Sequence, residues 1–222
     1  MRSLLLIAGS VLAFGLSMPA MAATATDVTT FTIKITNVSK NDTLKVPGAT
    51  AVKAPIAPGV FLVDPAASIV EPGKLASAEL QSLAEDGNFE PLQKILQAKY
   101  GEHAGVFAPG LEFTITARPG DRLSFATMFV QSNDKFFAPA NGALSLFDGD
   151  GKAIAGDLTA WVRLFDAGTE ADQQPGAGAD QAPRQKSANQ GVDQKNTVTE
   201  AKDGFSYPLA ADVIRIEIQP NR

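Results

Sequence analysis

The chain has 222 residues with 24 Asp or Glu against 19 Lys or Arg, which gives a formal net charge of −5 at pH 7. A mildly acidic chain without a basic patch argues against nucleic acid as a partner. The chain contains no cysteine, which excludes a disulfide framework and a lipid-modified N-terminal cysteine.

The N-terminal 22 residues have the pattern of a cleavable secretory signal peptide. The basic start Met1-Arg2 precedes an apolar run over residues 4–16, and Ala20-Met21-Ala22 supplies the small-x-small pattern that a signal peptidase accepts. The run is shorter than the roughly 20 apolar residues of a transmembrane helix, and Pro19 ends it. We expect an exported protein, periplasmic or secreted, without a transmembrane segment.

The rest of the chain has the length of one domain with a sizeable core. We therefore divide the sequence into a signal peptide over residues 1–22, a short N-terminal leader over residues 23–29 and a single domain over residues 30–222.

The first predicted elements of the domain are a strand, an irregular stretch and two helices. Phe31, Ile33 and Ile35 alternate with polar residues, which predicts a strand with one buried face. Residues 40–74 are rich in Pro and Gly and predict irregular structure around a short strand at Val60–Val63. Residues 75–99 have helical spacing that is interrupted at Asp86-Gly87-Asn88, which predicts a pair of short helices inserted between strands.

The second half of the chain predicts further strands and one long loop. The predicted strands are Leu111–Thr116, Leu123–Val130, Ala143–Phe147, Lys152–Ile154, Trp161–Phe165 and Val213–Ile218. The strand from Leu123 is apolar on both faces, which is typical of a central, covered strand. Between Asp166 and Phe205 no strand or helix pattern appears, so this segment is either disordered or held in place by other residues. The fold class is mostly β, an antiparallel β-sandwich with a short helical insertion and a long loop near one pole.

The sequence contains no recognisable catalytic arrangement. Its one histidine, His103, lies in a turn-like segment and is expected on the surface, and no Gly-x-Ser-x-Gly elbow or phosphate-binding Gly loop occurs. Asp148-x-Asp150-Gly151 resembles the start of a calcium loop but has Thr159 at the twelfth position, so a hairpin turn is the preferred interpretation. We predict a non-enzymatic protein with no catalytic residues and no organic cofactor.

Two segments place carboxylates where a strand opens into a loop. Gln131-Ser132-Asn133-Asp134 follows the long apolar strand, and Asp166-Ala167-Gly168-Thr169-Glu170 follows the strand that begins at Trp161. If both strand ends lie at one pole, Asp134, Asp166 and Glu170 converge, and a hard divalent cation would relieve their mutual repulsion. The alternative is that these Asp and Asn residues only make turns.

The same two segments resemble the signatures of spondin domains. Residues 123–134 are similar to the central "fat-M-…-S/T-N-D" motif, followed by an aromatic at Phe136-Phe137, and residues 164–170 are similar to the Asp-Ala-Gly-Thr-acid signature. The resemblance spans about residues 30–220. It implies a β-sandwich that holds one calcium ion at a pole through Asp134, Asp166 and Glu170. The chain departs from the animal proteins at Glu170, where they carry Asp and where the longer side chain reaches farther from the backbone.

Three functional hypotheses follow. The first is an exported, non-enzymatic spondin-like binding or adhesion module with Ca²⁺ at its pole and an extracytoplasmic protein or glycan as its partner. The second is a calcium-dependent, lectin-like glycan binder that would use an exposed ring, although we expect the available rings (Trp161, Tyr100, Tyr207 and Phe136-Phe137) to lie mainly in the core. The third is a hydrolase that uses the acidic pole.

Overall fold

The computed structural model describes residues 28–221. The predicted signal peptide over residues 1–22 lies outside the described residues. Within the described part of the chain, no helix is both long and apolar enough to cross a membrane.

The chain forms mostly short strands, with helices in one insertion and near the C-terminus. The strands are β1 (Thr29–Asn37), β2 (Gly59–Asp64), β3 (Ala104–Phe107), β4 (Glu112–Ala117), β5 (Arg122–Met128), β6 (Lys135–Pro139), β7 (Leu144–Ser145), β8 (Gly156–Asp157), β9 (Val162–Asp166), β10 (Thr199–Glu200) and β11 (Ile214–Pro220). The helices are α1 (Ala78–Asp86), α2 (Glu90–Tyr100) and the single turn α3 (Ala210–Val213).

Two antiparallel sheets form a β-sandwich. The smaller sheet has the strand order β4-β1-β11-β8, and the larger has the order β10-β9-β6-β5-β2-β3, with β7 paired to the start of β5. The predicted fold class is therefore confirmed. The long apolar strand β5 lies between β6 and β2 inside the larger sheet, as its pattern predicted.

The main core lies between the two sheets. The alternating residues of β1 and β11 point into it, including Phe31, Ile33 and Ile216, which are fully buried. Phe125 of β5 and Phe137 of β6 meet them from the larger sheet. Alternation with period two explains this arrangement, because successive side chains of a strand point to opposite faces.

A second core lies on the outer face of the larger sheet, where the helical insertion covers it. Leu83 of α1 and Leu92 of α2 pack with Ala126 of β5 and Phe136 of β6. Helix α1 begins at Ser77, whose hydroxyl accepts from the N–H of Leu80 at 3.2 Å. The helix ends at Gly87, whose φ of +69° is the left-handed conformation that favours glycine. Both faces of the central strands are therefore covered.

Some predicted strands differ from those observed. Lys152–Ile154 is not a strand; Ala153 makes only an isolated bridge to Phe147, across a turn in which Asp148 accepts from the N–H groups of Asp150 and Lys152. The sequence did not predict strand β6. After Lys135 its residues are apolar on both faces of the sheet, so they show no alternation of polar and apolar side chains. Strand β10 is only two residues long and lies inside the segment predicted to be without strands.

Candidate functional site

The turn between β5 and β6 positions the first predicted carboxylate. The Ser132 hydroxyl donates to the carbonyl oxygen of Phe129 at 2.7 Å and accepts from the N–H of Lys135 at 3.1 Å. The N–H of Phe129 donates to the carbonyl oxygen of Lys135 at 2.9 Å. This closed turn carries Asp134 inward, where its side chain is fully buried.

The second predicted carboxylate meets the first at the end of the neighbouring strand. Asp166 ends β9 and lies directly opposite Lys135 of β6 in the antiparallel pair. Oδ2 of Asp134 accepts from the N–H groups of Thr169 at 2.8 Å and Glu170 at 3.2 Å. The turn after β5 and the loop after β9 are thus joined at one pole, as predicted for Asp134 and Asp166.

A third carboxylate, Asp172, joins them. One carboxylate oxygen from each of Asp134, Asp166 and Asp172 lies within 4.8 Å of the others, so this group could hold a metal ion. Such oxygen donors are the ligands that hard divalent cations prefer.

The ammonium group of Lys135 lies in the middle of this group. Its Nζ is 2.9 Å from Oδ2 of Asp166 and 3.3 Å from Oδ1 of Asp134, and it makes a closer ion pair with Asp172. A fourth carboxylate, Asp203, has Oδ2 at 3.3 Å from the same nitrogen. The Lys135 side chain is fully buried. We call Lys135 with Asp134, Asp166, Asp172 and Asp203 the acid–lysine cluster.

The cluster as it stands does not fit a calcium ion. The carboxylate oxygens suit calcium, but the position between them belongs to the Lys135 ammonium, which is bonded to the same oxygens that a metal would use. A calcium ion at about 2.4 Å from those oxygens would have to compete with Nζ for them. In this structure the positive charge between the carboxylates is the ammonium of Lys135.

The carboxylate of Glu170, the third predicted ligand, is not among those paired with Lys135. Its Oε2 accepts from the side-chain amide of Asn133 at 3.0 Å, and its Oε1 lies against Gly191, where a Cβ atom would collide with it. The side chain is 4% exposed. Only its backbone N–H contacts the cluster, through Asp134. The ligand role of Glu170 stays a prediction.

Burial and neighbouring charges shift several pKa values at this pole. Burial raises the pKa of Glu170 to about 7, and the nearby Glu85 and Asp134 add to this while the Asn133 hydrogen bond opposes it. Burial likewise raises the pKa of Asp172 to about 6, against the opposing effect of Lys135. Burial alone would lower the pKa of Lys135, but its carboxylate neighbours outweigh burial and raise that pKa above its ordinary value. Lys135 therefore stays protonated.

The long loop between β9 and β10, residues 167–198, is ordered by pairing with itself. The N–H of Ala171 donates to the carbonyl oxygen of Val192 at 2.8 Å, and the N–H of Gln194 donates to that of Thr169 at 2.7 Å. Gly168 has a φ of +70°, and a Cβ atom there would lie 2.7 Å from the carbonyl oxygen of Asn196. Glycine is therefore required where the two arms of the loop approach each other.

The middle of the loop is held by buried amides. Gln181 is fully buried, donates from Nε2 to the carbonyl oxygen of Gln174 at 3.0 Å and to Oδ1 of Asn133 at 3.3 Å, and accepts from the N–H of Gly176 at 3.1 Å. Asp86, at the end of α1, accepts from the side chain of Gln185 at 2.9 Å. Of the two possibilities left open for this segment, the structure shows that other residues hold it.

A cavity lies at the other end of β9. It has a volume of about 210 Å³ and is lined partly by Trp161, Arg122, Asn141 and Leu158. Trp161 is 58% exposed, so the expectation that it belongs to the core is wrong. At about 3.3 Å per residue, Trp161 and Asp166 are separated by some 16 Å along the strand. A single ligand site therefore does not combine this ring with the acid–lysine cluster.

The other rings behave as predicted. Phe136 and Phe137 are fully buried in the two cores, and Tyr207 packs against the core between the sheets. Its hydroxyl donates to Oδ2 of Asp203 at 2.5 Å. His103 is exposed in the turn after α2.

No protein-family model matches the chain, and no curated protein matches it. The similarity of residues 123–134 and 164–170 to spondin signatures therefore stays a prediction.

Sequence reasoning missed three members of the acid–lysine cluster. Lys135 gave one usable signal, since it is a single cation directly between Asp134 and a run of apolar residues that had to be buried. Asp172 and Asp203 gave none, because nothing in their own segments distinguishes them from other acids of a polar loop.

Proposed function

We propose that this protein is an exported, non-enzymatic binding module with a spondin-like fold, and that an extracytoplasmic protein or glycan is its partner. The observation that carries the proposal is the full burial of Lys135 and Asp134 in the acid–lysine cluster. The strongest concentration of charged groups at the predicted pole ties the long loop to the larger sheet around the fully buried ammonium of Lys135.

The chemistry of Lys135 argues against a hydrolase at this pole. A lysine acts as a nucleophile or base only when it loses its proton, which requires a lowered pKa. Here the surrounding carboxylates raise that pKa, and the side chain is fully buried. Asp134, also fully buried, accepts two backbone N–H groups and serves as a loop anchor.

The resemblance to spondin domains gains support from the position of its two signatures. Residues 123–134 and 164–170 lie on strands of the same sheet, and Asp134 of the first accepts from Thr169 of the second. Signature residues that are distant in sequence and in contact in the fold are expected when a family motif describes one structural site.

Calcium is the ion that the resemblance implies, and oxygen ligands of this kind favour it. In the acid–lysine cluster the ammonium of Lys135 lies where that ion would bind. The proposed binding function therefore does not depend on calcium.

Export and the absence of catalysis are tested together. The full chain is expressed in a bacterial host with its own N-terminus, and the intact mass of the periplasmic and secreted protein is measured. We expect a product that begins at Ala23. The purified protein is then assayed with generic ester, phosphate and glycoside substrates, and we expect no turnover. Turnover that is lost in Asp134→Asn would overturn the proposal in favour of a hydrolase.

One observation favours a glycan as the partner. Trp161 is 58% exposed beside a cavity that also contains Asn141 and Arg122, and an exposed indole with polar neighbours is suited to stack on a sugar ring. A glycan array with the wild-type protein and Trp161→Ala tests this candidate. Leu209→Ala, which changes a side chain that is 74% exposed, is the matched control. Binding that Trp161→Ala leaves unchanged would remove the cavity from consideration.

A further inference from the structure

The acid–lysine cluster gathers carboxylates from four separate segments of the chain. Asp134 lies in the turn after β5, Asp166 ends β9, Asp172 lies in the long loop, and Asp203 follows β10. All four have an oxygen in ion-pair contact with Nζ of Lys135, and the lysine side chain is fully buried. Lys135 thus contacts all four segments through one nitrogen.

The geometry around Nζ is that of a cation site. Burying carboxylates close together is unfavourable unless a positive charge lies between them. Metal sites in loops meet this requirement with a divalent ion surrounded by oxygens from several segments. Here the ammonium of Lys135 has that position, and its three N–H donors face the oxygens of several carboxylates.

We propose that Lys135 is a built-in cation that takes the place of a divalent metal at this pole, so that the long loop is fastened without calcium. The proposal disagrees with the calcium ion that the family resemblance implies. It does not depend on the proposed binding function, because it concerns how the pole is held together whatever partner the protein has.

Two features of the chain are consistent with such a replacement. Lys135 opens β6 and lies directly opposite Asp166 of β9, so the backbone pairing of the sheet places the ammonium beside its first carboxylate. Its own neighbour Asp134 supplies the second. The cation is therefore positioned by the strand pairing itself and does not need to be captured from solution.

The first test measures thermal unfolding of the wild-type protein, with or without residues 1–22, in excess EGTA and in millimolar calcium chloride. We expect the same midpoint in both. A midpoint that rises clearly in calcium and falls in EGTA would overturn the proposal, because the pole would then hold a metal of its own.

The second test replaces the cation. Lys135→Met keeps the length and apolar stem of the side chain and removes its charge, leaving the carboxylates without their cation. We expect the midpoint in EGTA to fall on the order of 10 °C. We also expect millimolar calcium to restore much of the loss, with calcium binding in titration calorimetry that the wild type lacks. Lys94→Met, at an exposed position of α2, is the matched control and should change neither quantity.

A third variant covers the case in which Lys135→Met does not fold in EGTA. Adding Asp172→Asn and Asp203→Asn to Lys135→Met halves the number of carboxylates left without a cation, and we expect folding to be recovered without calcium. If Lys135→Met is as stable as the wild type in EGTA, or if removal of the two acids gives no recovery, Lys135 is not the cation of this pole and the proposal fails.

Discussion

The side-chain amide of Asn133 donates to Oε2 of Glu170 at 3.0 Å, although the two residues are 37 positions apart in the chain. Asn133 also accepts from the N–H of Gln173 at 3.0 Å and from the buried amide of Gln181. One side chain next to β6 therefore contacts the long loop at three positions. These contacts give Glu170 a role in holding the loop.

The raised pKa of Glu170 predicts a pH dependence of stability. Burial places this pKa at about 7 in the folded protein, against an ordinary value of 4.5. Between these values the folded protein keeps a proton that the unfolded chain has released, so the free energy of unfolding falls as the pH rises from about 5 to about 7 and then levels off. Asp172, with a pKa of about 6, acts in the same direction at the lower end of this window.

Urea unfolding at pH 5.5 and pH 8 measures this effect. We expect the free energy of unfolding of the wild type to fall by on the order of 2 kcal/mol from pH 5.5 to pH 8, since one pKa unit corresponds to about 1.4 kcal/mol. Glu170→Gln should be more stable than the wild type at pH 8, and its free energy of unfolding should fall less between pH 5.5 and pH 8. Glu217→Gln, at an exposed position of β11, is the control. An equal loss in wild type and Glu170→Gln would show that another group is responsible.

Gln181→Ala is predicted to loosen the middle of the long loop. The change removes a buried amide that binds Asn133, Gln174 and Gly176, and it leaves their polar groups without this partner. We expect a loss of about 2 kcal/mol and faster hydrogen exchange over residues 173–181. Gln97→Ala, on the exposed face of α2, should change neither. Unchanged exchange in this segment would show that the loop is held without Gln181.

Gly168→Ala is predicted to be more damaging than the same change at Gly48. Both glycines have nearly the same left-handed φ, +70° and +72°, so both substitutions carry the same backbone cost of about 1 kcal/mol. Around Gly48 the space is open, whereas at Gly168 the new Cβ would lie 2.7 Å from the backbone oxygen of Asn196. We expect an additional loss of about 2 kcal/mol for Gly168→Ala in urea unfolding. Equal losses would show that the loop adjusts freely.

Tyr207→Phe tests the outer edge of the acid–lysine cluster. The substitution keeps the ring against the core and removes the hydroxyl that donates to Asp203 at 2.5 Å. Because Asp203 then loses one of its partners in a largely buried position, we expect a loss of about 1–2 kcal/mol. Tyr100→Phe, which changes a ring packed on the helical side of the larger sheet, is the control and should cost less. A loss that is no greater in Tyr207→Phe would mean that this hydrogen bond adds little.

Local sequence patterns were sufficient to predict most of the strands and helices. The alternation in Phe31, Ile33 and Ile35 and the helical spacing of residues 75–99 each reflect a periodicity that depends only on the chain itself. Strand β6 was not predictable in this way, because Phe136 and Phe137 are buried in two different cores and the segment has no polar face. The third layer formed by α1 and α2 accounts for this, and the sequence did not indicate which face the helices cover.

The sequence by itself determined the sandwich and the central position of β5, because both follow from patterns within single strands. It placed Asp134 and Asp166 at strand ends but left open whether the two ends meet. Only the tertiary structure decided which cation lies between the carboxylates and which acids surround it. Asp172 and Asp203 reach Lys135 from segments 37 and 68 positions later in the chain. Such contacts arise from the packing of the loops against the sheet, so they cannot be predicted from the periodicity of any single segment.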